Sequence, residues 1–359
     1  MHVLFDAERL RNPNSGLGQL CRGLGAALVR HRPAGAALTF LVREADVGTF
    51  GDQVDYDRVS WTRQWVARGD YDVWHATHQD AAWQPNRRAR VLLSIMDLNF
   101  LERADYSAAK KTRRLAAVQR RVDRASAVTT ISEYSASVIR ARLRLRDRPL
   151  HVIYPAETAS AASIDAPDAA VAARLSDGAP FLLFVGGIHP RKNVHTLLPM
   201  LARLPGYRLV LAGPADGRYA DGILRDIEAL QLGSRVTLLG AVDEATKSWL
   251  YEHCAGLVFP SLSEGFGLPV VEAMARGAPV FLSRLTSLPE VGGADAFYFE
   301  NFDPDHMASV VRGGLEIVAK APARTARMRA RAAGFSWDAA AAVYWRLYAD
   351  LATQPARHP

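Results

Sequence analysis

The sequence predicts an α/β protein made of two doubly wound domains, each a parallel sheet covered by helices on both faces. Three observations carry that prediction. The chain has 359 residues, 49% of them hydrophobic, which suits two domains of ordinary size better than one. Apolar runs with β-branched residues alternate with helical stretches from end to end, the pattern of parallel sheets with helical crossovers. The alternation also falls into two series, separated by Glu157–Asp168, which is rich in Ala and Ser, contains one Pro and reads as a linker near 155–175.

In the first series the strands are expected at His2–Phe5, Leu38–Val42, Tyr71–His75, Val91–Ile95 and Ala127–Ile131, with helices at Gly18–Val29 and Ala108–Arg124. In the second the strands are expected at Phe181–Val185, Tyr207–Ala212, Arg235–Leu239, Gly256–Phe259 and Pro279–Leu282. Helices are expected there at Val194–Leu204, Gly222–Leu230 and Glu244–Tyr251, and from Val270 to a stop at Gly277. The domains accordingly run over 1–160 and 170–335, followed by a final helical segment, 336–359. That last helix, Trp337–Leu351, carries Trp337, Tyr344, Trp345 and Tyr348, more apolar surface than a tail needs. Docking on its own domain is the simple account; a strap returning to the first domain is the sharper one.

Composition narrows the function classes. No segment approaches the ~18 consecutive apolar residues that span a bilayer. The N-terminus runs straight into Val3-Leu4-Phe5-Asp6, without the basic and apolar regions of a secretory signal. Cys21 and Cys254 are the only cysteines, so no disulfide framework is expected and a cytoplasmic location is. Net charge is +7, but residues 1–150 carry +9 and residues 151–359 carry −2. Such asymmetry suits either an anionic partner for the first half or a solvated basic helix face. No groove-reading motif accompanies it, which argues against nucleic acid.

The densest chemistry lies in Ser263-Glu264-Gly265-Phe266-Gly267-Leu268-Pro269-Val270-Val271-Glu272-Ala273. An apolar strand precedes it and a helix follows, with glycines that let backbone amides approach a ligand and a proline suited to a first helical turn. Strand, glycine loop and helix start together make an anion site. The flanking glutamates suggest a ligand that carries sugar hydroxyls as well as phosphate. A second candidate is Phe184-Val185-Gly186-Gly187-Ile188-His189-Pro190-Arg191-Lys192-Asn193, where Arg191 offers a planar fork and Lys192 a mobile charge for a diphosphate. A third, Asn14-Ser15-Gly16-Leu17-Gly18, is not a full dinucleotide fingerprint, and loop geometry accounts for its glycines equally well. His75, His78 and Asp97 lie at expected strand ends, where open parallel sheets bind ligands. The two histidines have no third ligand nearby, so hydrogen bonding to substrate or loop backbone is the better account than zinc. Asp303-Pro304-Asp305 looks like a metal-holding Asp-x-Asp, but its position before an apolar helical stretch reads as a helix cap.

Taken together these residues resemble the retaining glycosyltransferases of family 4, and the mannosyltransferases among them. The resemblance covers nearly the whole chain and is strongest over 180–300. Glu264 and Glu272 match the family's Glu-x7-Glu motif, and Gly186-Gly187 with Pro190-Arg191-Lys192-Asn193 matches its diphosphate loop. Ser94–Leu98, the segment Thr129 to Ser135, and Phe335-Ser336-Trp337 give further support. The resemblance implies a GT-B fold: two Rossmann-like domains, a cleft between them and a C-terminal helix crossing back to the first domain. It implies that the first domain binds the acceptor and the second a nucleotide-diphosphate sugar. Glu272 is then expected on the ribose hydroxyls, with Glu264 and the Gly265, Phe266, Gly267 and Leu268 amides on the donor sugar and phosphate. Arg191 and Lys192 are expected on the diphosphate beside Gly187, with Gly16 and Gly18 approaching from the first domain. Asp97 joins Glu264, Arg191 and Lys192 as a catalytic candidate, and His75 and His78 are expected to touch sugar or acceptor. The family generally needs no metal or other cofactor. Many relatives place a histidine before the aspartate, where this chain has Met96.

The implied activity is sugar transfer from GDP-mannose or a UDP-sugar to a glycan or lipid-linked acceptor, as in lipopolysaccharide or polysaccharide assembly. Lys110, Lys111, Arg113 and Arg114 would hold such an enzyme against an anionic membrane, on the inner face. A glycoside hydrolase would need its carboxylates about 5–10 Å apart across one bond. Residues eight apart are separated by roughly 12 Å along a helix, which fits two parts of one extended ligand better. A nucleotide-sugar epimerase shares the architecture but needs an acid/base set around the sugar ring, and none is evident. A non-catalytic nucleotide-sugar-binding protein is the rival from another class.

Overall fold

The computed structural model describes residues 1–13, 15–59, 70–82, 89–103, 105–157, 167, 169–175 and 178–354. Asn14 and most of the expected linker lie outside the described residues. The chain divides into two compact units: Met1–Thr158 together with Phe335–Pro359, and Ala159–Gly334.

The first unit runs β1 (His2–Asp6), α1 (Gly16–Arg30), β2 (Ala37–Val42), β3 (Asp55–Arg58), β4 (Val73–Ala76), β5 (Arg90–Ser94), α2 (Ala108–Arg124), β6 (Ala127–Thr130), α3 (Glu133–Arg142) and β7 (Leu150–Val152). Among the described residues these strands form one parallel sheet in the order β3-β2-β1-β4-β5-β6-β7. The interior strand β1 shows why its middle residues, Val3, Leu4 and Phe5, are all apolar. Val3 and Phe5 pack with Leu24 and Phe40, while Leu4 packs with Trp74 and Val122 on the opposite face. Sequence patterning missed β3 and β7, short strands at the two edges of the sheet. β3 reads Asp-Tyr-Asp-Arg and has no buried residue, so it lacks the apolar run that identifies an interior strand.

The second unit runs α4 (Ala169–Arg174), β8 (Phe181–Val185), α5 (Leu197–Ala202), β9 (Arg208–Ala212), α6 (Arg218–Ala229), β10 (Val236–Gly240), α7 (Glu244–His253), β11 (Gly256–Phe259), α8 (Leu268–Arg276), β12 (Val280–Ser283), α9 (Leu288–Gly292), β13 (Phe297–Phe299), α10 (Pro304–Lys320) and α11 (Pro322–Ala333). Its parallel strands are ordered β10-β9-β8-β11-β12-β13, so the order reverses between β8 and β11. The helix expected over Val194–Leu204 is divided: Val194–Thr196 is a 3-10 turn and the α-helix starts at Leu197. Pro199 explains the late start, because its missing N–H is harmless in a first turn and costly further inside a helix. Asp303 caps α10, its Oδ1 accepting from the amides of Asp305 and His306 at 3.1 and 2.9 Å.

The last helix, α12 (Trp337–Thr353), belongs to the first unit. Tyr344, Trp345, Tyr348 and Leu351 are buried in the same core cluster as Leu24, Leu28 and Phe40. Trp345 Nε1 donates to Leu28 O at 3.0 Å, closing α12 onto α1.

Candidate functional site

The two sequence motifs of the second unit leave the carboxyl ends of adjacent strands, β8 and β11, on either side of the strand-order reversal. In an open parallel sheet that is where the crevice for a ligand forms. The start of the loop after β8 packs closely against the backbone at the end of β9. Gly186 (φ 140°) donates to Ala212 O at 2.8 Å, and a Cβ on Gly213 (φ 145°) would lie 2.2 Å from Gly186 O. Beyond Gly187, Pro190–Lys192 forms a 3-10 turn that ends on left-handed Asn193. Arg191, half-buried, accepts at its carbonyl from Leu262 N at 2.8 Å, which ties this turn to the loop after β11.

Lys192 and Glu264 meet across that tie. Lys192 Nζ lies 2.6 Å from Glu264 Oε1, with side chains 11% and 9% exposed, and 4.7 Å from the centre of the Phe259 ring. Burial by itself would raise the Glu264 pKa. The Lys192 ammonium, then the Arg191 guanidinium, outweigh that cost and hold the carboxyl below its ordinary value. Ser287 Oγ donates to the carbonyls of Glu264 and Phe266 at 3.1 and 2.9 Å, and Glu264 N donates to Thr286 Oγ1 at 3.1 Å. Gly265, Phe266 and Gly267 are buried and Leu268 is half-buried. Gly267 (φ 109°) precedes α8, Pro269 sits in its first turn, and Gly277 (φ 82°) ends it.

Glu272 keeps different company. Its Oε1 lies 3.0 Å from Lys247 Nζ, and its Oε2 accepts from Tyr251 OH at 2.7 Å. Both partners come from α7, and neither stood out in the sequence. The two carboxylates are thus separate ion-paired groups, not a facing acid/base pair.

In the first unit the residues singled out by sequence divide. Gly16 is exposed at the start of α1. Gly18 is buried; its amide donates to Ser15 Oγ at 3.1 Å, and a Cβ there would lie 2.1 Å from Asn12 O. Packing inside the unit therefore accounts for that glycine. His75 is corrected outright as a sugar contact. It is 0% exposed, with Nδ1 2.7 Å from Tyr348 OH and Nε2 2.8 Å from Ser94 Oγ, so it has no nitrogen to offer. Burial drives its pKa down to about 3, which keeps it neutral.

His78 remains half-buried, its Nδ1 accepting from Asp80 N at 3.0 Å and facing Arg9 Nη2 at 3.3 Å. Those contacts place its proton on Nε2. Burial, then the Arg9 charge, lowers its pKa to about 4. Asp97 Oδ1 accepts from Asn99 N at 3.0 Å. Gln79, missed in the sequence, holds the two loops together: it donates to Asp97 O at 2.9 Å and accepts from Met96 N at 3.1 Å. Asp6, also missed, is 3% exposed at the end of β1, and burial raises its carboxyl to about 7.

The basic helix α2 is rearranged relative to the expected membrane face. Lys110 and Arg113 are exposed and Lys111 is half-buried. Arg114 is taken: it bonds Asp80 at 2.7 Å and lies 4.9 Å from the centre of the Phe100 ring. Arg120, and Arg140, Arg142, Arg144 and Arg146 around the end of α3, are exposed instead. Among the described residues, no helix is long and apolar enough to cross a membrane. No group of three His, Cys, Asp or Glu among them is placed to hold a metal ion.

The sequence profile of the family "Glycosyl transferases group 1" matches residues 167–327. The chain is 28% identical to O-antigen chain mannosyltransferase B of Escherichia coli, over 77% of this chain and 74% of that protein. It is 36% identical to the D-inositol 3-phosphate glycosyltransferase of Mycolicibacterium paratuberculosis, but over only 46% of this chain and 40% of that protein. Among solved structures, sucrose-phosphate synthase from Thermosynechococcus elongatus superposes with a TM-score of 0.78 at 22% identity, covering 98% of both chains. Anabaena HepE in complex with UDP-glucose superposes with a TM-score of 0.75 at 19% identity, covering 98% of this chain and 100% of that one. These structural likenesses establish the two-Rossmann GT-B fold. The profile spans nearly all of the second unit and the mannosyltransferase likeness most of the chain, so the chain is similar over both units to group 1 glycosyltransferases.

Proposed function

We propose that the protein is a retaining, metal-independent glycosyltransferase that moves a sugar from a nucleotide diphosphate to a glycan or lipid-linked acceptor. The observation that carries this reading is the Lys192–Glu264 pair, set between glycine loops on the adjacent strands β8 and β11. Arg191 and Lys192 bind the donor diphosphate, and Glu264 with the loop through Leu268 holds the donor sugar. Glu272 accepts hydrogen bonds from the ribose hydroxyls. In the transfer, the bond between the anomeric carbon and the diphosphate breaks and a bond to the acceptor oxygen forms on the same face. The acceptor's proton passes to the departing diphosphate, whose growing charge Arg191 and Lys192 offset.

GDP-mannose is the first donor to test, supported by the likeness to an O-antigen mannosyltransferase. UDP-sugars come second, supported by the fold shared with a protein solved with UDP-glucose. The same mannosyltransferase likeness supports an acceptor of the lipopolysaccharide or polysaccharide class. We place the enzyme in the cytoplasm at the inner membrane face, where its exposed arginines would meet anionic lipid. Incubation with GDP-mannose and a panel of UDP-sugars, with and without acceptor, should release free GDP or UDP. No release across the panel would leave the non-catalytic binding reading in place.

A further inference from the structure

The surroundings of Glu272 hold more than its own expected role explains. A carboxylate has about four lone-pair positions, two on each oxygen. In Glu272 one contact on Oε1 is taken by Lys247 Nζ at 3.0 Å and one on Oε2 by Tyr251 OH at 2.7 Å. Glu272 is 7% exposed, the Lys247 side chain 12% and Tyr251 2%. A buried carboxylate with a partner on each oxygen cannot swing between rotamers without breaking a hydrogen bond. One lone pair on each oxygen is left, and the two together match a vicinal diol.

Lys247 is itself held from the other side, 2.9 Å from Glu244 Oε2 one helical turn earlier in α7. Burial alone would weaken its charge, but Glu272 and then Glu244 raise its pKa above the ordinary lysine value. The ammonium therefore stays charged where Glu272 needs it. The arrangement parallels the other end of the motif, where Lys192 holds Glu264 at 2.6 Å. Each glutamate of the pair has its own lysine, from a different element.

We propose that Lys247 and Tyr251 are positioning residues for donor binding, fixing the Glu272 carboxylate so that its remaining lone pairs meet the two ribose hydroxyls. The proposal rests on the reading that Glu272 binds the donor ribose, and the test separates the two. Affinity for GDP and UDP is measured by calorimetry on the full chain, alongside donor KM, kcat and thermal midpoint, for Glu272→Ala, Lys247→Met, Lys247→Arg and Tyr251→Phe. A hydrogen bond to a charged group supports roughly a tenfold to hundredfold loss of nucleotide affinity in Lys247→Met, with kcat within about threefold of the parent. Lys247→Arg should recover most of that affinity, and Tyr251→Phe should lose several-fold.

If Glu272→Ala binds both nucleotides like the parent, the ribose reading itself fails. If Glu272→Ala loses affinity while Lys247→Met and Tyr251→Phe keep it, the positioning proposal is overturned and the reading stands. A lower thermal midpoint with unchanged affinity, or equal losses in kcat and affinity, marks a merely structural staple between α7 and α8 and also overturns the proposal. Should Lys247→Met fail to fold, Tyr251→Phe decides, since it leaves the ion pair intact.

Discussion

Glu264 is held ionised in a nearly closed environment because Lys192 and Arg191 together exceed the cost of burying it. Removing one partner of a buried pair leaves an uncompensated charge, which typically costs about 3–5 kcal/mol. Glu264→Ala is therefore expected to lower the thermal midpoint and to cut kcat on the order of a hundredfold. Glu272→Ala should instead raise donor KM with little change in kcat. Steady-state kinetics of the two variants checks this; losses confined to KM in both would undo the division of roles. At Asp6 the prediction concerns pH. Its folded pKa of about 7 lies above the ordinary aspartate value of 3.8 because the carboxyl is buried, so the folded state binds more protons between those values. Its contribution to stability is fully present below about pH 4 and is lost as pH rises through 7. Asp6→Asn, which keeps an oxygen for the Glu8 amide now bonded at 3.1 Å, should raise the thermal midpoint at pH 8 and leave it nearly unchanged at pH 4. A midpoint gain equal at both pH values would contradict this. Glu264, Arg191 and Lys192 stood out as candidates because they cluster with glycines in loops after apolar strands. Lys247, Tyr251 and Gln79 could not, because an isolated lysine, tyrosine or glutamine on a helix or loop carries no signal until its partner is known.

At the scale of elements, the interior strands were legible, whereas of the edge strands β10 was legible and β3, β7 and β13 were not. β8 and β11 are buried on both faces and read as unbroken apolar runs, as do Val3–Phe5 within β1. β3 and β7 have no buried residue and β13 has one, so none of the three carries the apolar run that marks an interior strand. The glycine loops were legible as loops, but their positions on neighbouring strands come from strand order, which sequence pattern does not specify. Gly213 belongs to that order: a Cβ there would overlap Gly186 O, and its φ of 145° is open mainly to glycine. Gly213→Ala should therefore distort the turn carrying Arg191 and Lys192 and weaken GDP or UDP binding, measured by calorimetry. Unchanged affinity would mean that the turn tolerates the shift. For α12 the decisive contact is polar. Tyr348 OH is hydrogen-bonded to His75, and Tyr348→Phe leaves a buried imidazole nitrogen without its partner. A loss of about 1–3 kcal/mol is expected, read by denaturant unfolding.

For the whole molecule, the charge split is the property that reaches beyond the site. Residues 1–150 carry +9 and the remainder −2. The structure redistributes that excess among specific side chains, because Arg114 is committed to Asp80 while Arg113, Arg120, Arg142 and Arg144 are exposed. Flotation with anionic liposomes should recover the protein at low salt and release it at high salt, since exposed charges are screened over a Debye length of about 8 Å at physiological ionic strength. Arg113→Glu with Arg142→Glu should weaken recovery, whereas Arg114→Glu should instead disturb the Asp80 contact and stability. Equal recovery on neutral and anionic vesicles would remove the membrane proposal.

The sequence by itself determined the α/β class, the two series of strands and helices, and the loops in which glutamates, glycines and adjacent cations cluster. These are local properties, set by apolar periodicity and by which residues tolerate a tight turn. Only the tertiary structure decided which polar groups face a crevice and which serve the core. His75 bonds Tyr348 across 273 residues of chain and is lost to any substrate, while Lys247 reaches Glu272 across 25. Whether a buried polar group is satisfied depends on partners that folding alone brings within reach, and no spacing along the chain records that distance.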